Sequence, residues 1–198
     1  MASDKKKESQ PQDWKKSAVL YLQDLVHMLL AIVLVFLLLF RIIVVSGDSM
    51  YSTLLDGDYL LLLSNLFYRE PEAGDIIVIS KETFDNGAPI VKRVIATEGQ
   101  QVDIDFEAGA VYVDGIQLQE DYINNLTHNG RGVAFPLTVE ENCLFVLGDN
   151  RGVSLDSRYA EIGQIDKREV LGKALLLMLP GTSHGQQRQD FGRIGAIQ

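Results

Sequence analysis

A serine that follows a long apolar run is the first candidate for chemistry in this chain. Residues 46–54 read SGDSMYSTL, and Ser49 lies four residues past the last residue of that run, Val45. A serine hydroxyl becomes a nucleophile when a neighbouring base takes its proton. The segment is not a nucleophile elbow, because Tyr51 stands where that motif has its second glycine. The alternative interpretation is a turn that only ends the apolar run.

Lys92 is a better candidate for the base than any histidine. The three histidines lie in the apolar run, in a predicted loop and in the C-terminal tail: His27, His128 and His184. Residues 88–95 read APIVKRVI, an apolar strand that would hold the Lys92 ammonium against a dry surface. Desolvation disfavours an ammonium and lowers its pKa, which makes a lysine a general base near neutral pH. Alternation predicts that Arg93 faces the opposite side, unless both residues are exposed on an edge strand.

The third candidate segment is dense in turn-forming and charged residues. Residues 148–158 read GDNRGVSLDSR and follow an apolar strand directly. Such a composition predicts a tightly hydrogen-bonded turn, and a solvated surface loop is the alternative. The hydroxyl of Ser154 could orient the lysine ammonium. Ion pairs could brace the loop through its charged side chains, Asp149, Arg151, Asp156 and Arg158.

Short strands must position these three segments. Seven stretches are rich in β-branched and aliphatic residues and are separated by Gly, Pro, Asp and Asn: Tyr59–Leu63, Ile76–Ile79, Ile90–Ile95, Val102–Ile104, Val111–Val113, Leu144–Leu147 and Val170–Leu179. The pattern predicts a mainly β domain of coiled antiparallel sheets, or a partly open barrel. Residues 182–198 are rich in Gly and Gln and predict a flexible tail.

An apolar run precedes the strands and predicts a membrane span. Residues 25–45 carry Arg41 as their single formal charge, and as a helix they are roughly 30 Å long, the thickness of a bilayer core. A cleaved signal peptide and a buried core helix are the alternatives. Five lysines in residues 1–17 predict a basic cytoplasmic tail and place the rest of the chain outside. A fully extended link reaches roughly 15 Å, so Ser49 is expected near the membrane surface.

Composition excludes several classes of function. A chain of 198 residues holds one enzyme-sized domain. The net charge is −9, and residues 42–198 carry 12 Lys and Arg against 23 Asp and Glu, or −11, which argues against nucleic acid as a partner. Cys143 is the single cysteine, so an intrachain disulfide framework and a multi-cysteine zinc site are both excluded. We expect no metal and no cofactor.

Together these segments resemble the bacterial type I signal peptidases, the membrane-anchored Ser-Lys proteases of the peptidase S26 family. The resemblance covers residues from about 18 to 180 in the family's order: span, serine segment, GD segment at Gly57, lysine segment and GDNR loop. The GDNRxxSxDSR pattern agrees at every specified position. Two positions depart from the family, because Ser52 replaces the usual proline and Gly47 stands where some members carry a serine hydroxyl for the oxyanion hole. We therefore expect the backbone N–H of Ser49 to carry most of the oxyanion stabilisation.

The resemblance implies an enzyme with Ser49 as nucleophile, Lys92 as base and Ser154 positioning the lysine. It implies a serine endopeptidase whose partners are membrane lipid and the signal peptides of exported preproteins. The family accepts small residues at the first and third positions before the cut, and we expect shallow pockets walled by Met50, Leu54, Ile90 and Val91. The expected organisation is a cytoplasmic tail, a transmembrane helix, a compact extracytoplasmic catalytic domain and a flexible C-terminal tail, at residues 1–17, 18–45, 46–181 and 182–198.

Two other classes remain open at this point, and a third fits less well. A catalytically impaired relative serving as an assembly factor is one, although retention of Ser49 and Lys92 argues against it. A self-cleaving regulator of the LexA type shares the Ser-Lys logic, but it carries a DNA-binding domain where this chain has the apolar run. A β-lactamase-like acyltransferase fits less well, because the S-x-x-K pattern occurs only at Ser3 and Lys6 in the tail.

Overall fold

The computed structural model describes residues 14–182 and 189–197. It divides into two compact units, Met1–Leu38 and Leu39–Gln198. Most of the predicted basic tail, residues 1–13, lies outside the described residues, as do residues 183–188 of the predicted C-terminal tail. The remainder confirms the predicted fold class, because one N-terminal apolar helix precedes a mainly antiparallel β domain with a curled sheet.

Helix α1 spans Trp14–Leu39 and is 26 residues long. By length and composition, Lys16–Leu39 is able to cross a membrane. The prediction that the helix continues to Val45 is wrong, because Phe40–Val44 forms strand β1. Its β-branched residues fit a pleated strand, and apolarity alone does not distinguish a strand from a helix. Ten residues rather than four separate the helix end from Ser49, so the chain-length argument for Ser49 near the membrane no longer holds.

Within the described residues, eleven further strands follow β1: β2 Tyr59–Ser64, β3 Ile76–Ile79, β4 Ile90–Thr97, β5 Gln101–Asp105, β6 Ala110–Val113, β7 Ile116–Gln117, β8 Leu137–Thr138, β9 Cys143–Leu147, β10 Ile165–Asp166, β11 Val170–Leu179 and β12 Gly195–Ala196. Short 3₁₀ turns lie at Asp85–Gly87, Lys167–Glu169 and Phe191–Arg193. All seven strands predicted from the sequence are present. The strands that were not predicted are β1 and four strands of two residues each.

The strands form two sheets. The larger has the order β1-β2-β11-β3-β4-β9-β10, with β12 pairing to β11, and the smaller has the order β7-β6-β5-β8. Every paired strand is antiparallel, and β4 lies between β3 and β9, inside the larger sheet. The exposed edge-strand interpretation of Lys92 and Arg93 is therefore wrong.

Both faces of the larger sheet are buried at its centre, in β3 and β4. In β3, Ile76 and Val78 belong to one apolar cluster, while Ile77 and Ile79 belong to another. A strand covered on both faces needs apolar residues at every position, which is why these segments read as continuous apolar runs. The curled sheet thus provides two dry environments on either side of β4, one for each of two neighbouring charged residues.

The described part of the C-terminal tail is ordered into a strand. Gly195 and Ala196 pair with Leu177 and Leu176 of β11, and a 3₁₀ turn at Phe191–Arg193 precedes them. The prediction of a flexible tail is therefore wrong for residues 189–197. The prediction relied on composition, but a segment poor in apolar side chains is still able to pair with a strand through its backbone.

Candidate active site

The two principal candidates, Ser49 and Lys92, are in direct contact. Ser49 lies in the turn between β1 and β2, and Lys92 lies in β4. The Lys92 ammonium donates to Ser49 Oγ at 2.8 Å and to the carbonyl oxygen of Val91 at 3.0 Å. The two residues are 43 positions apart in the chain, so the tertiary fold creates this pair.

The environment of Lys92 shifts its protonation equilibrium toward the neutral form. The residue is 3% exposed. Burial lowers the pKa of its ammonium from 10.5 to about 8, and Arg158 adds to that direction, whereas the carboxylates of Asp156 and Asp149 oppose it. Desolvation is the largest cause. A lysine with this pKa is deprotonated in a usable fraction of molecules near neutral pH, which a general base requires.

The turn that carries Ser49 is held by the GDNR loop. The backbone N–H of Asn150 donates to the Ser49 carbonyl at 3.0 Å, and the Asn150 side-chain amide donates to the Asp48 carbonyl at 3.0 Å. The Thr53 hydroxyl donates to Asp149 at 2.5 Å. Gly47 has a φ of +83°, and its N–H donates to Asp56 at 2.7 Å. The position of the serine backbone is thus set by two adjacent residues of the loop.

Ser154 lies beside the pair without a hydrogen bond to it. A Cβ added to Gly148 would approach Ser154 Oγ to 2.2 Å and the Ser49 carbonyl to 2.5 Å. The Ser154 hydroxyl and the backbone of Ser49 therefore both lie next to this glycine. Ser154 is buried, and within residues 14–182 and 189–197 its hydroxyl has no hydrogen-bond partner. The expected contact from Ser154 to the lysine is not made in this structure.

Buried ion pairs run through the GDNR loop. Arg158 donates through Nε and Nη2 to the two oxygens of Asp156, each at 2.8 Å, and Asp156 accepts the Gly148 N–H at 3.0 Å. Arg158 also donates to the Ser154 carbonyl at 3.2 Å. Arg158 and Asp156 are both fully buried. Charge-assisted hydrogen bonds therefore tie the start of the loop to Asp156 and the end of the loop, at Arg158, to Ser154.

Arg151 connects the loop to a different part of the chain. Its guanidinium pairs with Glu120 at 2.5 Å and donates to Thr127 Oγ1 at 2.6 Å and to the Gly148 carbonyl at 3.1 Å. Sequence reasoning identified Arg151 but not Glu120, because 31 residues separate the two.

Arg93 is a site residue whose partners the sequence did not reveal. It donates to both oxygens of Asp149, at 2.9 and 2.8 Å, and lies 4.0 Å from the centre of the Tyr122 ring. Arg93 is 3% exposed, like Lys92. The strand pairing agrees with the predicted alternation, because Lys92 lies opposite Ile77 and Arg93 lies opposite Ile76, which belong to different apolar clusters. In the sequence, an arginine inside an apolar strand was the available signal for an acidic partner.

The four predicted pocket residues do not form one wall. Met50, Leu54 and Val91 belong to one buried cluster, and the first two are each 1% exposed. Ile90 is half-buried and packs against a different cluster. The structure therefore separates Ile90 from the other three.

The potential metal ligands are not clustered in the described part of the chain. Across residues 14–182 and 189–197, no three His, Cys, Asp or Glu side chains lie together as a metal site. The carboxylates around the pair instead have arginine partners, as described for Asp149 and Asp156.

Known proteins resemble this chain in sequence. Residues 19–179 match the family model of signal peptidase, peptidase S26. A Synechocystis protein named "Probable signal peptidase I-1" is 36% identical over 80% of this chain and 83% of its own length. Signal peptidase I of Bacillus licheniformis is 32% identical, covering 77% of this chain and 85% of its own length. A crystal structure of a signal peptidase I from Enterococcus faecalis has a TM-score of 0.43 at 30% identity, covering 52% of this chain and 96% of that one.

The family match includes the serine turn, the lysine strand and the GDNR loop, the three segments that meet at the Ser49–Lys92 contact. By the extent of that match and the identity to curated relatives over most of their length, the chain belongs to the signal peptidases of the peptidase S26 family.

Proposed function

We propose that this protein is a signal peptidase I, a serine endopeptidase that removes N-terminal signal peptides from exported preproteins with Ser49 and Lys92. The observation that carries the proposal is the 2.8 Å hydrogen bond between a buried lysine and a serine hydroxyl. Burial, which lowers the pKa of Lys92 to about 8, supports a role as base. At pH 7 about a tenth of such lysines are neutral.

In the proposed reaction, Lys92 Nζ takes the proton from Ser49 Oγ, and that oxygen attacks the carbonyl carbon of the scissile peptide bond. The backbone N–H of Ser49 donates to the oxyanion that forms. The Lys92 ammonium then protonates the departing amine, which leaves an ester on Ser49. A water deprotonated by Lys92 hydrolyses that ester and restores the serine.

Ser154 has a supporting role in this proposal. Its buried hydroxyl is close to the serine backbone and lacks a partner among the described residues, which leaves it able to accept from a rotated lysine ammonium. Asp149, Arg151, Asp156 and Arg158 brace the loop. Met50 and Leu54 share one buried apolar cluster with Val91, and in this proposal the small residues before the cleavage site would contact the chain beside that cluster.

The proposed location is a membrane with the N-terminus in the cytoplasm and the β domain outside. The apolar helix and the lysines before it support this orientation. Protease treatment of spheroplasts tests it, because digestion from outside is expected to degrade the β domain. Protection of the β domain in intact spheroplasts would contradict the orientation.

The assembly-factor alternative is tested by cleavage itself. The detergent-solubilised full chain is incubated with a preprotein that has an A-x-A cleavage site, beside Ser49→Ala and Lys92→Ala. We expect cleavage by the parent and its loss in both variants. Ser80→Ala and Lys167→Ala are matched controls outside the site and are expected to cleave at the parental rate. An inert parent would favour the assembly factor, and parental cleavage by either site variant would refute the dyad.

A further inference from the structure

The C-terminal segment returns to the turn that carries the nucleophile. We define the C-terminal strap as residues 189–197 and the serine turn as residues 46–58. The strap is fixed to β11 by the pairing of β12 and by the Ile197 N–H, which donates to the Leu175 carbonyl at 3.2 Å. The Ile197 side chain packs against the apolar cluster that contains Met50 and Leu54. The strap therefore lies on the same core as the serine turn.

Arg193 of the strap forms the polar contact with the serine turn. Its guanidinium donates to both oxygens of Asp58, at 3.0 and 2.7 Å, and to the Thr53 carbonyl at 3.2 Å. Asp58 is fully buried, and the same carboxylate accepts the backbone N–H groups of Leu55 at 2.8 Å and Gly181 at 2.6 Å. One carboxylate thus joins the strap, the chain after β11 and the serine turn.

The backbone is packed tightly where these segments meet. A Cβ added to Gly181 would approach the Asp56 carbonyl oxygen to 2.1 Å and the Asp58 nitrogen to 2.7 Å. The Gly57 N–H donates to the Val45 carbonyl at 2.9 Å and closes the turn at its base. Several contacts therefore hold the C-terminal end of the serine turn, and the contact from Arg193 is the ion pair among them.

The contact reaches the nucleophile through Thr53. Arg193 fixes the Thr53 carbonyl, while the Thr53 hydroxyl donates to Asp149 of the GDNR loop. Asn150, the next residue of that loop, donates its N–H to the Ser49 carbonyl. Small displacements of a reacting group cost large factors in rate. Loosening the Thr53 end of the turn is therefore expected to disturb the geometry of Ser49.

We infer that Arg193 is a positioning residue for the Ser49 reaction, acting through Asp58 and Thr53. The inference rests on the proposed function for its catalytic part. Arg193 lies beyond residues 19–179 that match the family model, so the inference depends on the contacts in this chain. The side chain is 21% exposed at the edge of the domain, so its replacement removes the ion pair to the buried Asp58 without leaving a cavity in the apolar core.

The test compares the full chain with Arg193→Gln and Arg193→Lys. The control is Arg131→Gln, since Arg131 forms an exposed ion pair with Glu161. Preprotein cleavage gives kcat and KM, and amide hydrogen exchange reports on residues 54–58 and, as a measure of the fold, on β3. For Arg193→Gln we expect kcat to fall about tenfold with KM within about twofold, and faster exchange in residues 54–58 alone. Lysine keeps the charge but loses the bidentate fork, so Arg193→Lys should recover part of kcat.

Each outcome decides the inference. Parental kcat or parental exchange in residues 54–58 of Arg193→Gln would each overturn it, and so would exchange that accelerates equally in β3, since that result indicates general destabilisation. If the parent chain cleaves no preprotein, the proposed function fails. The comparison of amide hydrogen exchange between Arg193→Gln and the parent still decides whether Arg193 holds the serine turn. Faster exchange confined to residues 54–58 supports that hold, and unchanged exchange refutes it.

Discussion

Replacing Lys92 by methionine is expected to stabilise the protein at low pH and to lose that advantage as the pH rises. Burial lowers the pKa of Lys92 in the folded protein to about 8, against 10.5 for an unperturbed lysine. Between these two values the unfolded chain binds a proton that the folded protein does not, so the free energy of unfolding of the parent rises with pH. Below pH 8 the whole penalty for the buried charge is present. Methionine has a similar shape and carries no such penalty.

The size of this effect follows from the two pKa values. Their difference corresponds to about 3 kcal/mol of unfolding free energy below pH 8. Integrated from pH 6 to pH 10, the gap between Lys92→Met and the parent is expected to narrow by about 2.5 kcal/mol. The lost hydrogen bond to Ser49 shifts the gap by a constant and leaves its change with pH intact.

Urea unfolding of the solubilised full chain at each pH, followed by the circular dichroism of the β domain, measures this gap. Ser49→Ala keeps the buried ammonium and is expected to follow the parent in its dependence on pH. A gap between Lys92→Met and the parent that stays constant from pH 6 to pH 10, or widens with pH, would refute the assignment of Lys92 as a desolvated base.

Three further predictions concern the same site. The single-turnover cleavage rate is expected to rise about tenfold per pH unit below pH 7 and to level off above pH 9, following neutral Lys92 with its pKa of about 8. An inflection below pH 6.5 would indicate another base. Gly148→Ala is expected to abolish cleavage, because its Cβ would meet the Ser154 hydroxyl and the Ser49 carbonyl within 2.5 Å; parental kcat would contradict this. Arg93→Gln removes the arginine partner of the buried Asp149 carboxylate. It should lower the unfolding free energy by about 3–5 kcal/mol in urea titrations. Adding Asp149→Asn should restore part of that loss, and a strictly additive double variant would refute the coupling.

The sequence by itself determined the strands and the segments that carry chemistry. Strands β3 and β11 have the bounds that were predicted, because dense β-branched and aliphatic runs between turn residues define a buried strand locally. The serine, lysine and GDNR segments were identified by residue type and order, and the family comparison covers all three. These are properties of short windows, which a sequence displays directly.

Contacts between distant windows were decided by the tertiary structure. The apolar sequence did not show where α1 ends and β1 begins. Residues Phe40–Val44 form a strand because they pair with β2. Composition did not reveal that residues 189–197 bind the edge of β11 and bring Arg193 to Asp58.

The same reasoning applies to the pair itself. The sequence indicated a serine and a desolvated lysine, but the two residues are 43 positions apart in the chain, and only the folded structure brings their side chains to within 2.8 Å. The burial that lowers the pKa of Lys92 likewise comes from strands on both sides of β4 and from the GDNR loop. Residue type and order are encoded locally, whereas distance and desolvation arise from packing, which is why the chemistry was readable in the sequence and its geometry was not.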